Sequence, residues 1–183
     1  KRYALLLNFN HRSKDNKLII NTSTSYATQS NNLPIIDLTR QSLKLAPNAP
    51  ALYAEDGSLN WENGTFNNPL AQLNQTYENK TQSLVLNTNL SYNILPNLFF
   101  KINAGITNTG FEEWKITPHT IYNPAEGYTS EMSNTSKANT SFKSYIVEPQ
   151  LQYTKDINKH AFDLLVGSTY QSNTSDGSYI RGV

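Results

Sequence analysis

The chain has 183 residues and a formal net charge of +1. It contains no cysteine, and this absence excludes a disulfide scaffold and a cysteine-ligated metal site. A charge near zero, with no basic run interleaved with aromatics, gives no reason to expect a nucleic-acid partner. Hydrophobic residues make up only 37% and charged residues 16%, and Asn, Ser, Thr and Tyr fill the difference, a composition that suits a wet barrel lumen or external loops.

Alternation of side-chain classes predicts the first two strands, at about residues 2–11 and 18–28. Because successive side chains of a strand point to opposite faces, each strand has one mainly apolar face. A short charged turn over residues 12–17 joins the two strands into a hairpin. The apolar face comprises Tyr3, Leu5, Leu7 and Phe9, followed by Leu18, Ile20, Thr22, Thr24 and Tyr26.

A long polar segment, about residues 29–80, follows the first hairpin. Its prolines and glycines are typical of a loop, and we expect two short helical turns within it, at residues 37–45 and 69–73. Asn68 is expected to cap the second turn, with Pro69 at its first helical position. A loop of this length in a compact domain indicates a function.

A second hairpin has the clearest pattern in the chain, with strands at about residues 82–94 and 98–109. One face carries almost no hydrogen-bonding groups, whereas the other is rich in Asn, Thr, Ser and Lys. Such a sheet suits lipid on one side and water on the other. The apolar face comprises Leu84, Leu86, Leu90, Tyr92, Phe100, Ile102, Ala104 and Ile106.

The pattern repeats after a second long loop, at about residues 110–143, with strands at about 144–154 and 160–172. Pro149 is discordant because proline cannot donate to a strand ladder, so we expect a bulge there. Five tyrosines fall near strand ends, where the aromatic girdle of a membrane barrel lies. They are Tyr26, Tyr92, Tyr145, Tyr153 and Tyr170.

Short turns at one end of the hairpins and long loops at the other are the asymmetry of an outer-membrane barrel. We therefore predict an all-β fold: six antiparallel strands, in three hairpins, of a large transmembrane β-barrel with short periplasmic turns and long extracellular loops. Six strands cannot close so wide a barrel, so both edges must be paired by further chain. Because no signal peptide precedes the first strand, we expect a segment of a longer protein.

Four stretches, in this order, resemble the barrel of SusC/RagA-family TonB-dependent outer-membrane transporters. They are LAPNAPALYAEDGSLNWENGTFNNPLAQLNQTYENKT, NLSYNILPNLFFKINAGITNTG, IYNPAEGYTSE and YIVEPQLQYTKDINKHAFDLLVGSTYQ. The resemblance covers nearly the whole chain and implies a multi-pass barrel of about 22 strands closed by an internal plug. The plug and the TonB box of that family have no counterpart in these residues.

The resemblance also implies a function and partners. Such a transporter lies in outer-membrane lipid, is energised through TonB, and imports glycan oligomers or oligopeptides in Bacteroidota, with a SusD-like surface lipoprotein as its lid. It implies no cofactor. The alternative is a soluble surface β-sandwich that binds glycans or mediates adhesion, in which the apolar faces would pack against each other.

Two sets of residues are candidates for contact with substrate or lid. Aromatic side chains of the long loops either stack on sugar rings or seat the lid, or they pin the loops to themselves or to the barrel rim. Polar residues on the lumen side either line the translocation path, or pair with one another or with the plug. The aromatic set is Trp61, Phe66, Tyr77, Trp114, Tyr122 and Tyr128, and the lumen set is Lys101, Glu148, Gln150, Gln152 and Asp163.

No arrangement typical of an enzyme or a metal site is recognisable in the sequence, so we expect neither catalytic activity nor a bound metal. His11, His119 and His160 are far apart along the chain and show no ligand spacing. The adjacent carboxylates of Glu112 and Glu113 are interpreted as a solvated loop surface.

Overall fold

The computed structural model of the chain describes residues 1–182 and shows an all-β fold. The strands are β1 (Arg2–Arg12), β2 (Leu18–Pro34), β3 (Thr76–Leu95), β4 (Leu98–Thr117), β5 (Asn134–Ile157), β6 (His160–Gly167) and β7 (Tyr170–Gly182). These seven antiparallel strands form one sheet in the order β1-β2-β3-β4-β5-β6, and β7 also pairs with β5. The sheet is open, as a piece of a larger barrel would be, and the predicted all-β antiparallel fold is confirmed.

Helical segments of the described residues are short and lie in the two long connections. The first connection holds α1 (Thr39–Lys44) and the 3-10 turns Glu62–Gly64 and Pro69–Asn74, and the second holds the 3-10 turns His119–Ile121, Pro124–Glu126 and Ser130–Met132. None of the helices in the described range has the length and apolar character that a membrane-spanning helix requires. The helical turns predicted at 37–45 and 69–73 are both present, with slightly different ends.

The prediction of six strands is wrong near the C-terminus, where one expected strand is two, β6 and β7. The break, at Ser168 and Thr169, lies beside Pro149 of β5, where we expected a bulge. β6 pairs with β5 as far as Gly167 opposite Gln150, and the next N–H, of Ser168, donates to the carbonyl of Pro149 over 3.1 Å. Because Pro149 has no N–H of its own to donate, the ladder is interrupted at this point.

The three short turns are set by asparagines in the left-handed region of backbone conformation. The φ angle is 58° at Asn16, 74° at Asn97 and 58° at Asn158, and asparagine tolerates this region better than most other residues with a side chain. In the first turn the carboxylate of Asp15 accepts from the Ser13 hydroxyl and from a backbone N–H, which lowers its pKa. Local sequence therefore determines where these hairpins reverse.

The strands that border the long connections, β2, β3, β4 and β5, are longer than predicted. β3 and β4 have 20 residues each and β5 has 24, so the long connections shrink to residues 35–75 and 118–133 and the predicted loop bounds are wrong. Polar side chains accompany the extra ladder: Asn31 Nδ2 donates to Asn79 Oδ1 over 3.0 Å, and Asn32 Nδ2 donates to Glu78 Oε1 over 3.1 Å. Apolar alternation therefore reports where a strand has one apolar face and not where its ladder ends.

The sheet has no apolar core of its own. The accessible surface is 13123 Å², whereas a compact monomer of this mass would expose about 8,900 Å². In β1 the side chains of Leu5 and Leu7, which share the apolar face, are 64% and 56% exposed, and in β6 that of Leu164 is 62% exposed. A sandwich needs a second sheet to cover such a face, and residues 1–182 form only one sheet, so the sandwich alternative is not supported.

The chain divides by its internal contacts into two compact units. Unit 1 comprises residues 1–29, 81–111 and 140–177, and unit 2 comprises residues 30–80, 112–139 and a C-terminal piece that begins at Ser178. On the apolar face of unit 1 the hydroxyls of Thr22 and Thr88 lie 3.1 Å apart. Each hydroxyl gives the other a hydrogen-bond partner, so these two polar groups do not depend on water.

Candidate functional site

The two long connections build a small core in unit 2. Its buried apolar side chains are those of Ala71, 0% exposed, and Ile121, 7% exposed. Gln72 links the connections, because its Nε2 donates to the carbonyl of Ile121 over 3.4 Å. Long loops are commonly packed by their own side chains, and here the two connections share one such core. Buried polar side chains surround the apolar pair, those of Asn68, Gln75, Thr117 and Asn123.

Asn68 is the first of two buried asparagines that hold this core together. Its Oδ1 accepts from the N–H of Leu70 over 3.0 Å and so caps the turn that begins at Pro69, as predicted. Its Nδ2 donates to the carbonyls of Leu52 (2.6 Å) and Asn60 (3.0 Å). The amide is only 3% exposed, and three of its hydrogen-bonding positions are filled by backbone groups.

Asn123 plays the same part in the second connection, where it caps a turn and donates to distant backbone. It was not among the residues predicted from the sequence. Its Oδ1 accepts from the N–H of Ala125 over 3.1 Å and caps the turn Pro124–Glu126. Its Nδ2 donates across to the first connection, to the carbonyl of Gly64 over 2.8 Å and to Asn67 Oδ1 over 3.2 Å. The one sequence signal available was the repeated Asn-Pro dipeptide.

Two aspartates shape the exposed part of the first connection. The Asp37 carboxylate accepts from the Thr39 hydroxyl and the Thr39 N–H at the start of α1, and these bonds lower its pKa. Asp56 accepts hydrogen bonds from the side chain and from the backbone N–H of Ser58, which similarly lower its pKa. Both carboxylates are thus used to form local turns.

Two neighbouring cavities open on unit 2. The larger has a volume of about 390 Å³ and the other about 360 Å³, both within the usual range of small-molecule sites. The larger is lined by Ile36, Gln41, Trp61, Asn67, Asn68, Pro69, Gln72, Ile121, Tyr122, Asn123 and Glu126. The second is lined by Arg40, Gln41, Lys44, Leu45, Asn67 and Pro69.

Four of the six candidate aromatics lie in or beside this core. Trp61 and Tyr122 line the larger cavity, and the ring of Tyr128 packs on Tyr122 at 4.7 Å between centroids and 53° between planes. The N–H of Phe66 donates to the carbonyl of Trp61 over 3.1 Å. The ring of Tyr128 therefore packs against Tyr122 and is still 40% exposed to solvent.

The other two candidate aromatics are held by the adjacent carboxylates, so the interpretation of Glu112 and Glu113 as a solvated loop surface is wrong. Both glutamates belong to β4. Trp114 Nε1 donates to Glu112 Oε1 over 3.1 Å, and Lys137, 3.1 Å from Glu112 Oε2, lies 4.6 Å from the centre of the indole ring. The hydroxyl of Tyr77 donates to the carboxylate of Glu113.

Three residues of the lumen set form a chain of hydrogen bonds in unit 1. Lys101 Nζ donates to Gln152 Oε1 over 2.6 Å, and Gln152 Nε2 donates to both oxygens of Asp163 over 2.9 Å. Glu148 accepts from the hydroxyl of Thr169 over 3.3 Å. Pairing within the set is thus observed for Lys101, Gln152 and Asp163, where the amide of Gln152 lies between a cation and an anion. Their role in a translocation path stays a prediction.

No family model and no curated protein matches the chain, but solved structures do. The RagAB peptide importer in its closed-closed state matches 99% of this chain with a TM-score of 0.69 and 18% sequence identity. The same importer in its open-open state matches 99% with a TM-score of 0.70 and 17% identity. A structure of the RagAB peptide transporter matches 100% with a TM-score of 0.68 and 16% identity.

The chain has the fold of part of that importer. The fold implied by the resemblance to SusC/RagA-family barrels is thereby confirmed. The matched region amounts to 21% or 22% of the importer chains, so this chain spans about a fifth of their length. At identities of 16% to 18% the fold is what the chains share.

Proposed function

We propose that the chain forms part of the wall of an outer-membrane transporter that imports oligopeptides or glycan oligomers. The observation that carries the proposal is the fold match to the RagAB peptide importer over 99% of the chain. The exposed apolar face of unit 1 gives it physical support, because outer-membrane lipid would cover that face. The open edges of the sheet would pair with further strands of the same barrel.

Strand length fits the same proposal. A barrel strand crosses the apolar band with about ten tilted residues, and β3 and β4 have 20 residues each. The half of each strand with an apolar face would lie in lipid. The other half, where Asn79 of β3 meets Asn31 of β2, would stand in water.

Two protein partners belong to the proposal. A SusD-like surface lipoprotein would act as a lid over the long connections of unit 2, where Leu43 of α1 is 82% exposed. TonB would act through parts of the protein outside these residues. A barrel of this class is closed by a plug, so import of a large solute would need an energy source that opens it.

Cysteine labelling tests the orientation that this function requires. We expect Glu55→Cys, on the first long connection, to react with a membrane-impermeant maleimide in intact cells that produce the transporter. We expect Lys14→Cys, on the β1–β2 turn, to react only after the outer membrane is permeabilised. Both positions are exposed, and the chain contributes no cysteine of its own. Equal labelling of both from outside would contradict a membrane-spanning wall.

Alanine substitutions of two tryptophans distinguish a residue that contacts the solute from one that packs the structure. Trp61→Ala is expected to lower uptake with a normal amount of transporter at the cell surface, because the indole lines a cavity. Trp114→Ala is expected to lower the surface amount, because its indole is held between Glu112 and Lys137. Uptake and surface immunolabelling are measured together, and a loss of surface protein in Trp61→Ala would assign Trp61 to packing.

A further inference from the structure

Another cavity lies in unit 1, on the hairpin of β5 and β6 and close to its short turn. It has a volume of about 400 Å³, within the usual range of sites for small molecules. We call it the hairpin cavity. Its lining is mainly apolar and comprises Tyr153, Lys155, Ile157, Phe162, Asp163 and Leu164.

Cross-strand pairing places one lysine among the apolar side chains of this lining. Tyr153 lies opposite Leu164, and Lys155 lies opposite Phe162. Because side chains alternate between the two faces of a strand, Tyr153, Lys155 and Ile157 share one face of β5. Lys155 is therefore flanked by apolar residues along its own strand and faces another on β6.

Within residues 1–182, no carboxylate forms an ion pair with Lys155. Asp163 also borders the hairpin cavity, but both of its oxygens accept from Gln152 Nε2 over 2.9 Å. Gln152 in turn accepts from Lys101, so the carboxylate of Asp163 belongs to the lumen network. The positive charge of Lys155 thus has no ionic partner in the part of the chain that the structure describes.

The neighbours of Lys155 are exposed apolar groups that water would not cover favourably. Phe162 is 55% exposed and Ile157 is 46% exposed. A lipid that covers them also takes water from the lysine, and a charge that loses water needs a partner. Lys155 lies about 7 Å nearer the short turn than Tyr153, at two residues of strand rise. Its long stem can carry the ammonium from an aromatic girdle to the lipid head groups.

We propose that the hairpin cavity binds a phospholipid of the membrane leaflet on the short-turn side. This inference rests on the proposed function and gives the barrel wall a defined lipid partner. The phosphate lies at the ammonium of Lys155, and the acyl chains lie against Phe162 and Leu164, where the cavity continues the exposed apolar face. An uncharged diacylglycerol would leave Lys155 unpaired, and inorganic phosphate would leave the apolar side chains uncovered.

Native mass spectrometry of the detergent-purified full-length transporter measures the bound lipid directly. The probes are dioleoylphosphatidylglycerol and dioleoylglycerol, which has the same acyl chains without the phosphate. We expect the phospholipid to bind about fivefold more tightly, the contribution of one lysine near a membrane surface. Inorganic phosphate is expected not to displace it. Equal binding of the two lipids would overturn the assignment.

Substitutions at the hairpin locate the site. Lys155→Gln should bind both lipids equally, whereas Lys155→Arg keeps the charge and should keep the preference for the phospholipid. Phe162→Ala should weaken both lipids alike, because it removes apolar contact area. The matched control is Lys159→Gln, which removes the same charge from the adjoining turn, outside the cavity lining. An equal loss in Lys155→Gln and Lys159→Gln would show that net charge, and not this cavity, attracts the lipid.

Two results separate the lipid site from the proposed function. If the labelling of Glu55→Cys and Lys14→Cys shows a spanning wall but Lys155→Gln keeps the lipid preference, the transporter stands and the lipid site is refuted. If the preference depends on Lys155 but the labelling fails, the hairpin cavity binds lipid on a protein that does not span the membrane.

Discussion

Replacing Asn123 with Asp is expected to destabilise unit 2 by about 3 kcal/mol or more, the effect of an uncompensated buried charge. The carboxylate keeps the acceptor for the Ala125 N–H but loses both donors. Its oxygens would face the carbonyl of Gly64 and Oδ1 of Asn67, which are acceptors too. Because the site is 4% exposed, water cannot intervene to separate them.

The measurement is the urea dependence of proteolysis within the long connections. Asn123→Asp should be cut at a much lower urea concentration than the parent protein, while the strands remain intact. Asn68→Asp is expected to behave in the same way, since its Nδ2 donates to Leu52 and Asn60. Asn48→Asp, an exposed position in the same connection, is the matched control. If Asn123→Asp and Asn48→Asp were equally resistant, the core would not depend on these amides.

The limits of prediction from the sequence follow from the range of each interaction. Asn68 was predictable because its capping bond to Leu70 is local, and a capping residue before a proline is a short motif. The capping bond of Asn123 to Ala125 is equally local, but its Nδ2 donates to Gly64 and Asn67, which lie more than fifty positions away and could not be predicted from local sequence. Both asparagines precede a proline, as many turn residues do. Only the long-range hydrogen bonds show that an asparagine also joins distant parts of the chain.

The same reasoning explains which parts of the fold were predicted. Alternation found every hairpin, since a two-faced sheet requires one class of side chain on each face. It missed the outer parts of the strands, where Asn31 and Asn79 pair across the ladder without any apolar face. Pro149 was recognised as discordant, but its consequence falls on the neighbouring strand at Ser168, which its own local sequence does not reveal.

Gly64 is the second position at which a substitution is expected to have a large effect on stability. Gly64→Ala is expected to destabilise unit 2 by about 2–4 kcal/mol, from a strained backbone and an overpacked contact. The φ angle of Gly64 is +93°, and a Cβ at this position would lie 2.5 Å from the Cβ of Ala125. Either the turn at Pro124–Glu126 must move away, or the 3-10 turn Glu62–Gly64 must open.

Gly57→Ala separates the two causes, because Gly57 has a similar φ of +83° but nothing within 4 Å of an added Cβ. It should show only the cost of placing a Cβ on a left-handed backbone, about 1–2 kcal/mol. Proteolysis in urea is measured for both variants. Gly64→Ala should be cut at a lower urea concentration than Gly57→Ala, because only at Gly64 does an added Cβ collide with Ala125. Equal effects would mean that backbone strain alone matters and that the contact between the two connections is loose.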